Sequence, residues 1–123
     1  MTCVLRRGNR PVCLGFLLLL ICARPLFAHA VLVRSTPKAH EIVASGELNI
    51  ELQFNSRIDA ARSSLTLVLP DGQAKDLTQL PQPSPAVLGA KTARLATGSY
   101  VLRWQVLAHD GHITRGEVPF DVK

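Results

Sequence analysis

A carboxylate and an imidazole two residues apart, Asp110 and His112, occupy the segment His109-Asp110-Gly111-His112. In extended backbone, side chains two apart project to the same side, so this pair can close on one ion while His109 projects to the other side. Gly111 between them permits a tight or positive-φ conformation. Asp-Gly is equally an ordinary turn dipeptide, and the pair taken alone leaves both readings open.

A third ligand comes from the other end of the sequence. Residues 1–28 begin with Arg6, Arg7 and Arg10, carry no acidic residue, run through an apolar stretch from Val12 to Ala23, and close on Arg24-Pro25-Leu26-Phe27-Ala28. That order is a secretory signal: basic n-region, short apolar h-region, small residue at the cut. The apolar run is shorter than the roughly 20 residues a spanning helix needs. Cleavage after Ala28 makes His29 the first residue of the mature chain, although Leu26 is bulky for its place before the cut. A terminal histidine offers both its α-amine and its ring nitrogen to one metal ion. With Asp110 and His112 the set becomes three nitrogens and one oxygen. Such nitrogen-rich, roughly planar coordination suits Cu(II), which heads the affinity order of the divalent metals. Zn(II) prefers a tetrahedral arrangement. A single Cu(II) ion is the cargo this donor set favours.

Removing the leader changes the composition. Four of the 14 Lys and Arg side chains lie in residues 1–28, leaving ten bases against nine acids over residues 29–123. The mature segment is near neutral, without the clustered positive surface that nucleic acid or an anionic membrane demands. Cys3, Cys13, Cys22 and Met1 all precede residue 29. The mature segment therefore has no disulfide, no thiolate and no thioether from which to build a soft Cu(I) site. What remains suffices for one small domain with a single core.

The elements that must position these ligands read as strands. Leu48, Ile50, Leu52 and Phe54 alternate with Asn49, Glu51 and Gln53, the pattern of a half-buried strand over 47–54. A first strand is expected over 30–34, another over 64–69 ending at the Pro70-Asp71-Gly72 turn, and a weaker one over 91–95. Tyr100, Leu102, Trp104 and Val106 share one face of a strand over 100–107, leaving Val101, Arg103 and Gln105 to solvent. The last strand, 117–122, holds Val118, Phe120 and Val122 inward, with Pro119 suiting an edge. Three prolines make 79–86 a surface loop. Phe54, Tyr100, Trp104 and Phe120 are expected in the core. The fold class is all-β: a small antiparallel Greek-key β-sandwich or barrel, immunoglobulin-like in its strand count and spacing.

These residues resemble the CopC family of periplasmic copper-resistance proteins. The likeness rests on His29-Ala30, on Leu32-Val33-Arg34-Ser35-Thr36-Pro37 and on Ile50-Glu51-Leu52-Gln53-Phe54. It continues through Gly98-Ser99-Tyr100-Val101-Leu102-Arg103-Trp104 and Asp110-Gly111-His112, followed by Gly116 and Phe120. A monomer is expected, and the resemblance implies a periplasmic, cupredoxin-like Greek-key β domain over residues 29–123. It binds Cu(II) through His29, Asp110 and His112, and works beside a CopD-like inner-membrane copper importer. Two departures stand out. Some members carry a methionine-rich Cu(I) loop where residues 79–86 here have prolines and no methionine. Some place an acidic residue just after the Ile-x-Leu-x-Phe strand, where this chain has Asn55-Ser56-Arg57. His40 and His109 match no ligand position of the family.

Two other classes compete with a copper carrier. An oxidative enzyme with a histidine brace shares the terminal histidine, but no broad aromatic surface for a polymer is evident. A structural immunoglobulin-like module would leave the histidines incidental and show no spectroscopic response to Cu(II).

Overall fold

The computed structural model describes residues 29–123. The leader and the proposed cut after Ala28 lie outside the described residues. Eight strands form: β1 (Leu32–Thr36), β2 (Ile42–Val43), β3 (Asn49–Phe54), β4 (Ile58–Val68), β5 (Ala74–Asp76), β6 (Val87–Lys91), β7 (Gly98–Ala108) and β8 (Ile113–Val122). They make two sheets, one ordered β1-β3-β6 and the other β2-β8-β7-β4-β5. Every pairing is antiparallel except that of β2 with β8.

The core lies between the sheets and follows the alternation. Ile50, Leu52 and Phe54 of β3 are buried, as are Tyr100, Leu102, Trp104 and Val106 of β7 and Val118, Phe120 and Val122 of β8. Each such side chain contributes about 1.5–3 kcal/mol through removal from water, which lets a domain without disulfides hold together. Two aromatic contacts organise the centre. Tyr100 stacks on Phe120 at 5.6 Å, and Trp104 meets Phe54 edge to face at 5.1 Å. The indole packs against Gly116, its partner across the β7–β8 ladder; a Cβ there would collide with the ring. Only glycine leaves room. The outer face of β7 carries Arg103, paired with Glu117 at 2.8 Å, and Gln105, bonded to Arg115 at 2.7 Å.

Several boundaries differ from the sequence reading. The strand expected over 91–95 is instead β6, with its buried run at Val87, Leu88, Gly89 and Ala90. The strand expected to open at 64 starts at Ile58, and its ladder to β7 slips between Asp59 and Ser64. β8 is no edge: Pro119 pairs with Val101 on one side, and on the other its carbonyl accepts the His40 N–H at 2.7 Å. The missing proline donor falls where only a two-residue strand, β2, follows.

Candidate metal centre

The β7–β8 connection is a tight turn. The Ala108 N–H donates to the His112 carbonyl at 2.8 Å, and the Gly111 N–H donates back to Ala108 at 2.9 Å. Gly111 has φ 88°. An i→i+3 bond followed by a left-handed glycine is the pattern of a three-residue hairpin loop with a G1 bulge. The expected extended backbone over 109–112 is therefore replaced by a turn, which brings Asp110 and His112 together by another route. Asp110 Oδ1 accepts the His112 backbone N–H at 3.0 Å, and Oδ2 lies 3.1 Å from His112 Nδ1.

These contacts set the carboxylate's charge. The backbone N–H of His112 pulls the Asp110 pKa below its ordinary 3.8; partial burial opposes, and the His112 ring and the charge of His29 add to the lowering. Asp110 thus stays ionised, the form in which a carboxylate ligates a metal.

The N-terminal segment crosses this turn. Ala30 is buried, and its carbonyl accepts the Thr114 hydroxyl at 3.0 Å. Val31 exchanges two bonds with Asn55: its N–H donates to Asn55 Oδ1 at 2.8 Å, and its carbonyl accepts the Asn55 N–H at 3.0 Å. His29 immediately precedes Ala30, and its ring meets that of His112 edge to face with centroids 4.9 Å apart. One ligand-type atom from each of His29, Asp110 and His112 falls within 4.8 Å of the others. Metal–nitrogen bonds of about 2 Å put adjacent donors of one ion about 3 Å apart and opposite ones about 4 Å, so modest movement of these exposed side chains would let the three meet on one ion.

The other two histidines lie outside this cluster. The His109 N–H donates to the Arg57 carbonyl at 3.0 Å, on the flank of the turn. His40 occupies a left-handed turn position, φ 63°, against Pro119. The tethering bonds of Asn55 and the Thr114 contact are what sequence reasoning missed. They span 24 and 84 positions of the chain, and no local pattern announces them.

Residues 32–123 match the family described as the CopC domain. The chain belongs to the CopC family. Among its relatives is copper resistance protein C of Xanthomonas campestris pv. juglandis, 30% identical over 79% of this chain and 82% of that protein. The copper transport protein CutJ of Bacillus subtilis is 24% identical over 94% of this chain, but this chain spans only 22% of CutJ's length. In three dimensions it is similar to the crystal structure of CopC from Methylosinus trichosporium OB3b. That likeness has a TM-score of 0.70 and 33% identity, and covers 77% of this chain and 94% of that one.

Proposed function

We propose that residues 29–123 form an exported Cu(II) carrier or buffer that holds one ion, acting in the periplasm after cleavage behind Ala28. The ligands in this reading are the α-amine and ring of His29, the Asp110 carboxylate and the His112 ring. The observation that carries it is the convergence of three ligand-type side chains from positions 29, 110 and 112 at one end of the sandwich. Membership in a family whose named members include copper resistance and transport proteins supports copper as the cargo. The donor chemistry supports the divalent state, because residues 29–123 offer no sulfur.

Each part of the chain has a task. The Asp110 charge offsets that of the ion, the two imidazoles and the amine supply nitrogen, and the exposed setting leaves the ion reachable. CutJ's greater length fits a domain that serves a transport unit, and a transient contact with a CopD-like inner-membrane importer belongs to the same reading. The test is a Cu(II) titration of the processed chain followed by electron paramagnetic resonance. The expected result is one equivalent bound, with hyperfine structure from three nitrogens. No spectral change at one equivalent would leave the domain a structural module.

A further inference from the structure

Antiparallel pairing of β1 with β3 runs as far as Leu32 opposite Phe54. One step further out the pattern changes. The Asn55 N–H still donates to the Val31 carbonyl, as a ladder would require, but the return bond from the Val31 N–H goes to the Asn55 side chain. The Asn55 amide oxygen thus stands in for a main-chain carbonyl after β3 has ended. It extends the pairing to within two residues of His29. Phe54, buried against Trp104, anchors Asn55 from the core side. On the opposite flank the Thr114 hydroxyl holds the Ala30 carbonyl, from a position two residues after His112.

We infer that Asn55 is a positioning residue of the metal centre. It delivers His29 to the Asp110–His112 turn and does not itself ligate the ion. This rests on the functional reading above. A chain terminus left free would have to be ordered at the moment of binding, and a terminus already tethered one and two residues away loses far less freedom. The side chain acts through its acceptor oxygen, so aspartate can replace it and alanine cannot.

The experiment compares the processed chain with Asn55→Ala and Asn55→Asp, measuring Cu(II) affinity, the paramagnetic resonance spectrum and, without metal, the nuclear Overhauser contact between the His29 and His112 rings. Loss of one net hydrogen bond predicts roughly three- to tenfold weaker copper binding for Asn55→Ala. The ring contact should weaken with it, the thermal transition of the core should stay close to the parent's, and Asn55→Asp should restore both contact and affinity. Asn55→Ala with parental affinity and a parental ring contact would overturn the inference, as would Asn55→Asp failing to rescue. If the parent binds no copper, the metal-free contact still decides the positioning role: its loss in Asn55→Ala supports that role, and its persistence refutes it.

Discussion

Two turns of this domain share one design and differ in consequence. In the β4–β5 connection the Leu69 N–H donates to Gln73, the Gly72 N–H donates to Leu69, and Asp71 Oδ1 accepts the Gln73 N–H. In the β7–β8 connection Ala108, Gly111, Asp110 and His112 repeat those bonds one for one. Gly72 and Gly111 have φ of 86° and 88°. Asp-Gly at these positions is therefore turn chemistry first: the carboxylate satisfies a loop N–H, and the glycine accepts the left-handed conformation. What distinguishes the second turn is its last residue, histidine in place of glutamine, and the N-terminal segment that runs beside it. The proposed metal centre is a common turn with two additions.

That comparison can be broken by exchanging its terms. His112→Gln makes the second turn resemble the first; Cu(II) affinity measured by competitive titration should fall by about a hundredfold or more, since a lost ligand costs at least as much as a lost outer partner. The backbone amide shifts of the turn should persist.

Acidification separates the two roles of Asp110. Its pKa is lowered in the folded state, so its contribution to the turn is complete above the ordinary carboxylate value of 3.8 and is lost only as pH falls through the lowered one. Copper should leave earlier, because protons compete with the metal for its nitrogen ligands. Spectra recorded against pH should show the metal gone while the turn's amide signals are unchanged. Simultaneous loss would mean that the carboxylate alone governs release.

Substituting the two aspartates sharpens the contrast further. Asp110→Ala should weaken copper binding by about ten- to a hundredfold. Asp71→Ala should leave it untouched and cost about 1 kcal/mol of stability in denaturant unfolding, through its lost loop bond. The smallest effect is expected from Gln73→His, which rebuilds the Asp-Gly-His sequence without a neighbouring terminus. A second Cu(II) equivalent bound with comparable strength would show that the turn suffices by itself.

How legible this was in the sequence depends on the range of each interaction. β3, β7 and β8 were visible because one face of each is buried and alternation records it. β6 was misplaced because Val87 to Ala90 are all buried, so there is no alternation, and the prolines just before them draw the eye to a loop. The start of β4 was hidden by the irregularity between Asp59 and Ser64, which breaks the period. Asp110 and His112 stood out by spacing, although by an extended-chain argument the turn replaces. Asn55 was noticed only as part of a stretch without a carboxylate, because its acceptor role depends on Val31, 24 residues upstream.

The account stands most directly on the identity of the first residue. Mass spectrometry of the exported protein, followed by Cu(II) titration of that species and of one carrying a single extra residue before His29, measures it. The account predicts a chain beginning at His29 that binds one ion tightly, and an extended form at least about a hundredfold weaker. Equal binding by the two forms would remove the α-amine from the centre and contradict it.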